Sequence, residues 1–238
     1  MTNNSSAGIL YVVALPIGNL EDITLRAIRV LKEVDLICAE DTRTFGRLRS
    51  AYDIKTPAES YHEHNERAKS EQVLGRLQAG ESVALVSDAG TPLISDPGYR
   101  LVKAAVDAGI RVSPVPGPSA ATAALSASGL ETDQYMFLGF LPQKGAKKER
   151  VLLEALSLNV TLVCYESPHR IEKTLQLLDK LCPRQLICSA REISKIYEDI
   201  FTGTARQVLQ HLLEKSAVKG EFVLIIGKPP KKASMDSD

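Results

Sequence analysis

The sequence predicts an α/β fold built as two successive α/β domains. Three observations carry that reading. Short apolar, β-type runs alternate with helical runs along the first half, the alternation restarts in the second half, and a Pro-Gly-Pro turn at 116–118 separates the two series. At 238 residues and 44% hydrophobic content, the chain can fill two cores of about 110 residues each. The boundary is placed at Gly117 and Pro118, giving domains 1–117 and 118–238, with a disordered C-terminal tail from about residue 229.

Each element follows from a local signal. Ile9 to Leu15 is a continuous apolar strand that ends at Pro16-Ile-Gly-Asn19. Asp22 is expected to cap a helix presenting Leu25, Ile28, Leu31 and Val34, and the strand Asp35 to Ala39 stops at Glu40-Asp-Thr-Arg43. Asn65 is expected to cap a helix running to about Ala79, with Gly80 at its C-terminal turn. Ser82 to Val86 is the strand that feeds the polar loop Ser87 to Gly98. Asp96 then reads as a cap with Pro97 at the first helical position, for a helix with the face Leu101, Val102 and Ala105 that ends at Gly109. Strand Arg111 to Val115 leads into Pro116-Gly-Pro-Ser119 and an Ala-rich helix closed by Gly129. The second series has strands near Tyr135 to Phe140, Val160 to Tyr165, Gln185 to Arg191, Asp199 to Thr202 and Phe222 to Ile226, with helices between them. Ser167 and Pro168 suit the start of a helix presenting Ile171, Leu175 and Leu178, and the basic segment Lys144 to Arg150 precedes another.

Composition sets several function classes aside. Lys and Arg number 29 against 29 Asp and Glu, so binding to nucleic acid cannot rest on net charge and only local patches count. Two exist, Lys144 to Arg150 and Lys228 to Lys232; a solvated loop or tail is the other reading of each. Cys38, Cys164, Cys182 and Cys188 are widely spaced and form no Cys-x-x-Cys pair, which fits buried reduced thiols. Only His62 and His64 lie close together, so no metal site is expected. No apolar stretch approaches the roughly 20 residues of a membrane span, and the first residues lack the pattern of a secretory signal, so a cytoplasmic protein without membrane contact is expected. The chain has no G-x-x-x-x-G-K-[ST] loop, no G-x-S-x-G elbow and no G-x-G-x-x-G after the first strand, where Pro16 offers no N–H to a pyrophosphate.

What remains is a set of polar, turn-forming segments, each at the C-terminal end of an expected strand: 16–19, 40–43, 62–65, 87–98, 116–119 and 166–170. Open α/β sheets bind ligands at those ends. In the longest segment Gly90 and Gly98 permit close backbone approach, while Pro92 and Pro97 stiffen the path between them.

Five motifs carry a family resemblance. Leu15-Pro-Ile-Gly-Asn-Leu, Ala39-Glu-Asp-Thr-Arg, Ser87-Asp-Ala-Gly-Thr-Pro-Leu-Ile-Ser-Asp-Pro-Gly, Pro116-Gly-Pro-Ser-Ala and Tyr165-Glu-Ser-Pro-His-Arg, in order from about Leu10 to Gly227, resemble the bacterial small-subunit ribosomal RNA cytidine 2′-O-methyltransferases. That family has the tetrapyrrole methylase fold. The resemblance implies two α/β domains of tetrapyrrole methylase type with the cofactor cleft between them, S-adenosylmethionine as cofactor, and commonly a homodimer. The implied substrate is the ribose of a cytidine in the decoding region of 16S rRNA, within free RNA or the 30S subunit. Carried onto this chain, the cofactor residues are Pro16, Asp88, Gly90, Thr91, Ile94, Ser119, Ala120, Tyr165, Glu166, Ala190 and Glu221.

The residue chemistry agrees with that placement. Asp88, Thr91 and backbone groups near Gly90 suit an amino acid and a ribose diol, and methyl transfer needs no metal. A 2′-hydroxyl is a poor nucleophile, and Asp41 and His64, with Glu40 behind them, are the candidates to accept its proton. The alternatives are that Asp41 pairs with Arg43 or another basic group and that His64 stacks on or bonds to RNA. Arg43, Lys144, Lys147, Lys148, Arg150, Arg170 and Lys195 are the expected phosphate contacts, with Tyr61, His62 and His64 able to add stacking. Competing readings keep the fold but methylate a tetrapyrrole or other small molecule, make the chain a non-catalytic RNA-binding assembly module, or use Glu40 as the ribose ligand of a nucleotide fold.

Overall fold

The computed structural model describes residues 7–215 and 218–229. The expected disordered tail and most of the 228–232 basic stretch lie outside the described residues. Lys228 itself is ion-paired with Glu131 and Asp133 at 2.9 and 2.8 Å. The chain divides into two compact units, with the division between Ser119 and Ala120.

In the first unit, strands β1 (Ile9–Val13), β2 (Leu36–Ala39), β3 (Ala58–Ser60), β4 (Val83–Val86) and β5 (Arg111–Val115) form one sheet in the order β3-β2-β4-β1-β5. Every pairing is parallel. A parallel sheet needs crossovers, and these cover both faces, which is why its strands read as unbroken apolar runs. Helices α1 (Leu25–Glu33) and α2 (Thr42–Ala51) pack Ala27, Val30, Leu31, Phe45 and Leu48 on the face formed by Val13, Ile37, Ala39, Ala84 and Val86. Helices α3 (Glu66–Gln78) and α4 (Tyr99–Asp107) pack Val73, Leu77, Leu101 and Ala105 on the opposite face, against Leu10, Leu36, Cys38, Val83 and Leu85. Successive strand residues therefore enter opposite cores.

The second unit has a mixed sheet. Strands β6 (Tyr135–Phe140), β7 (Thr161–Glu166), β8 (Leu186–Arg191), β9 (Asp199–Thr204) and β10 (Phe222–Ile226) lie in the order β6-β7-β10-β8-β9. Only β6 and β7 run parallel. Helices α6 (Gly145–Leu156), α7 (Ile171–Leu181) and α8 (Ala205–Glu214) cover one face, with Leu152, Leu175 and Val208 packed against Leu162, Cys164, Leu224 and Ile226. Helix α5 (Ala120–Ala127) covers the other, where Ala121, Ala124 and Leu125 meet Val163, Cys188, Val223 and Ile225. All four cysteines are free and buried. Burial pushes the Cys38 and Cys164 thiols up to about 12, so they stay protonated.

Several helix starts differ from expectation, each for a traceable reason. Thr24, not Asp22, caps α1, its hydroxyl accepting from Ala27 N–H at 3.0 Å. That shift turns Leu25 outward, 87% exposed, and buries Ala27 and Val30 instead. Asp96 and Pro97 do not begin α4. Gly98, at φ +132°, precedes it, and the Glu66 carboxylate from α3 accepts from Gly98 N–H and Arg100 N–H at 3.3 and 3.2 Å. Asn65 precedes α3, but its side-chain oxygen accepts from His62 N–H rather than from the helix. Ser167 does not cap α7, because its hydroxyl accepts from Arg170 Nε–H at 3.1 Å and the residues to Arg170 form a turn. The Lys144 to Arg150 segment forms the first turns of α6 rather than preceding it.

Candidate active site

Because all five strands of the first sheet run parallel, the loops that follow them leave from one edge. Four of these loops are tied to one another by hydrogen bonds. Leu15, after β1, and Gly90, after β4, exchange two backbone hydrogen bonds of 2.8 and 3.0 Å. Gly90 is at φ +71°, a conformation glycine adopts without strain. Thr91 Oγ1–H donates to the Pro118 carbonyl at 3.2 Å, joining the loop after β5. Between β2 and β4, Asp41 N–H donates to Asp88 Oδ1 at 3.0 Å and Asp88 N–H to Glu40 Oε2 at 3.4 Å. The segment 87–98 is thus fastened on three sides, and Pro16, Asp88, Gly90, Thr91, Ile94 and Ser119 lie on the loops it joins.

The residues expected in the second unit also gather, at one end of its sheet. Glu166 of β7 and Arg191 of β8 both flank Phe222 of β10, while Tyr165 and Ala190 flank Val223. Tyr165 touches Phe137 and Phe140 edge to face, with ring centroids 5.1 and 5.4 Å apart. Ala190 is fully buried. Glu221 is exposed and holds Lys195 at 2.9 Å. Ala120 opens α5.

The Glu166 side chain is occupied. It is fully buried, with Oε2 accepting from Lys148 Nζ and Thr174 Oγ1 at 2.7 Å each, and Oε1 accepting from Ser167 N–H and pairing with Arg170. Any part it takes in cofactor binding falls to its backbone. The same network corrects the expectation for Lys148, whose ammonium is buried at the Glu166 carboxylate and is not presented to a phosphate. Arg170 is likewise committed, to Glu166 at 2.7 Å and to the Leu141 carbonyl at 2.9 Å. Lys195 sits between Glu192 and Glu221. Lys144, Lys147 and Arg150 are exposed; Arg150 pairs with Glu154 at 3.8 Å, and among the described residues the other two meet no carboxylate.

Asp41 caps α2, accepting from Arg43 N–H at 2.8 Å, and its carboxylate pairs with the Arg43 guanidinium at 2.7 Å. Those hydrogen bonds hold its carboxyl down to about 2, which makes it a poor proton acceptor. It is the ion pair with Arg43 that forms. His64 is exposed, with its ring 6.0 Å from that of His62.

Three neighbouring carboxyls behave oppositely. Burial, then the charges of Asp88 and Asp41, raises Glu40. Burial, then Asp41, raises Asp88, and Asp96 is pushed up to about 6 by burial and by Glu40. In sequence Asp96 reads only as a helix cap; the signal that sets it apart is tertiary, since Glu66 takes over its capping role. No group of three or more His, Cys, Asp and Glu side chains among the described residues is placed to hold a metal ion.

Two α/β units with such a strand-end edge define a class, the tetrapyrrole methylases: the family described as Tetrapyrrole (Corrin/Porphyrin) Methylases matches residues 9–209. The crystal structure of uroporphyrin-III C-methyltransferase from Thermus thermophilus complexed with S-adenyl homocysteine has this fold, with a TM-score of 0.60, 20% identity, and coverage of 92% of this chain and 97% of that one. Within the class, the chain is 47% identical over 219 residues to ribosomal RNA small subunit methyltransferase I of Halalkalibacterium halodurans, covering 92% of this chain and 75% of the relative. It is 47% identical over 231 residues to the protein of that name from Haemophilus influenzae, covering 96% and 82%. The chain belongs to the ribosomal RNA small subunit methyltransferase I family of the tetrapyrrole methylases.

Proposed function

We propose that this protein transfers a methyl group from S-adenosylmethionine to the 2′-oxygen of a cytidine ribose in the decoding region of 16S rRNA. The observation that carries this is its near-half identity, along almost its whole length, to relatives named for methylating small-subunit ribosomal RNA. The residues fit the cofactor. Thr91 and Asp88 offer a hydroxyl and a carboxylate to the ribose diol and ammonium, and the first N–H groups of α5, after Ser119, suit a carboxylate. Bound there, S-adenosylmethionine supplies a methyl group on a sulfonium, whose positive charge is lost as the methyl leaves. The protein's task is then to hold the acceptor oxygen in line with that methyl at about 3 Å and to take up a proton.

Pro16, Asp88, Gly90, Thr91, Ile94, Ser119, Ala120, Tyr165, Glu166 through its backbone, Ala190 and Glu221 are the proposed cofactor residues. Lys144, Lys147 and Arg150 on α6, with Arg43, are the proposed phosphate contacts. We place the protein in the cytoplasm as a homodimer; among the described residues no helix is long and apolar enough to cross a membrane.

Labelled S-adenosylmethionine, offered with naked 16S RNA and with 30S subunits from cells lacking the enzyme, tests the reading. Label on one cytidine ribose of the decoding region is expected. Label on a base, or none with either substrate, refutes it.

A further inference from the structure

We infer that Asp96 is the proton acceptor for the attacking hydroxyl, held at the edge of the first sheet by the loops that follow β2, β3 and β4. The inference rests on the proposed reaction at a ribose hydroxyl and assigns it a residue.

Asp96 is freed from the role its sequence suggests. Glu66 caps α4 in its place, and Asp96 lies beside the Ser87 hydroxyl, which donates to the Ala89 carbonyl at 3.0 Å. Its charged neighbours are Glu40, on the loop after β2, and Asp88, after β4. Behind them, Asp41 is neutralised by Arg43, and Glu66 faces Arg100 at 3.5 Å. Among the described residues no Lys or Arg forms an ion pair with Glu40, Asp88 or Asp96. Burial and the Glu40 charge therefore raise the Asp96 carboxyl to about 6, and the carboxylate that forms above that pH is a far better proton acceptor than Asp41, held near 2.

A separate observation points to a ligand at this edge. His62, on the loop after β3, lies near enough to Glu40 to influence its charge, and its Nδ1 is buried without a hydrogen-bond partner. A buried ring nitrogen left unpaired is costly, and none of the described residues supplies the partner it lacks. A nucleoside hydroxyl or base edge meets that need, which places the acceptor nucleoside beside the carboxyls. In the step itself, a lone pair of the attacking oxygen forms the new O–C bond to the methyl carbon. The C–S bond breaks with its electron pair going to sulfur, which becomes a neutral thioether, and the hydroxyl proton passes to an Asp96 carboxylate oxygen.

Three variants test this on the full-length protein: Asp96→Asn, Asp96→Glu and Glu40→Gln. Carboxyl titration is followed by ¹³C NMR in the absence of cofactor and RNA, S-adenosylmethionine affinity by calorimetry, and methyl transfer under single-turnover conditions from pH 5 to 9. An aspartate resonance that titrates near 6 and disappears in D96N is expected, together with a wild-type rate that falls below the same pH. D96N should lose about 100-fold or more in rate with unchanged cofactor affinity, and D96E should recover part of it. E40Q should move both the titration and the acidic limb of the rate to lower pH, which a merely structural role for Asp96 would not do. D96N turning over within about threefold of wild type overturns the inference, as does an E40Q protein whose carboxyl titration moves while its rate profile stays. A wild-type protein that labels no ribose overturns the proposed function as well, whereas ribose labelling with D96N intact overturns this inference alone.

Discussion

Asp41 and Asp96 stand on adjacent loops of one sheet edge, yet one carboxyl is held down to about 2 and the other pushed up to about 6. The difference lies in their partners. Asp41 has the Arg43 guanidinium and two backbone N–H groups; Asp96 has a hydroxyl, a second carboxylate and partial burial. A raised carboxyl has a consequence for stability. Below its ordinary value near 3.8 the group is protonated in both folded and unfolded chains, and its environment costs nothing. As the pH climbs through about 6, the unfolded chain has already released its proton and the folded protein must carry an unfavourable charge, so stability is lost. Asp96→Asn is therefore expected to stabilise the protein at pH 7.5 by about 1–2 kcal/mol, less than the full linkage value because the carboxyl is partly solvated. Near pH 4 the gain should vanish. Urea denaturation at the two pH values checks it, and equal stability of D96N and wild type at pH 7.5 would show that the carboxyl is not strained. A residue that weakens the fold at working pH is one of the places where activity is set against stability.

At the scale of elements, α6 shows what a charge run conceals. Lys144, Lys147, Lys148 and Arg150 read alike in sequence, but Lys144 is the N-cap of α6, and on the helix Lys147 and Arg150 point about 100° and 160° away from Lys148. Lys148 turns inward to Glu166 and Thr174, while the others face solvent. Lys148→Met should then leave the buried Glu166 with Arg170, Thr174 and the Ser167 N–H but without its ammonium partner, and lower stability by about 3 kcal/mol without changing the salt dependence of RNA affinity. Replacing Lys144 and Lys147 by Ala should do the reverse. Stability stays, and the slope of log affinity against log salt falls by about 0.7 for each phosphate that is no longer neutralised. A salt slope that drops in K148M would restore Lys148 to the RNA surface. Such distinctions mark the limit of what the sequence makes legible. The runs 9–13, 83–86 and 222–226 are recognisable because strands buried on both faces need apolar residues at every position. Helix starts are less so. The cap of α4 comes from Glu66, 32 residues upstream, and no local pattern contains it. Helix α2 is absent from the expected elements, although Asp41 with Phe45 and Leu48 behind it is a readable cap and face.

For the molecule as a whole, the sequence marks the site by position rather than by role. Five polar segments at strand ends need no recognition of chemistry to be brought to one edge, because parallel pairing of β1 to β5 does it. Which of those carboxylates is ionised, and which cation is buried, depends on contacts between loops that only folding creates. The same topology makes a last prediction about the chain's two units. Each has a sheet covered on both faces by its own helices, with cores formed by Leu31, Ile37 and Phe45 and by Leu77, Leu85 and Leu101 in one, and by Leu162, Leu175 and Leu224 and by Ala124, Val163 and Ile225 in the other. Units of about 120 residues with closed cores lie in the range that folds independently. Fragments 1–119 and 120–238, expressed separately, are expected to give native-like near-ultraviolet circular dichroism and a cooperative thermal transition each. Cofactor residues are proposed in both, so S-adenosylmethionine binding by calorimetry is expected of the full chain and of neither fragment. A fragment that binds dye as a molten state would show that its core is not closed by its own helices, and a fragment 1–119 that binds the cofactor with full affinity would remove Tyr165, Ala190 and Glu221 from the proposed site.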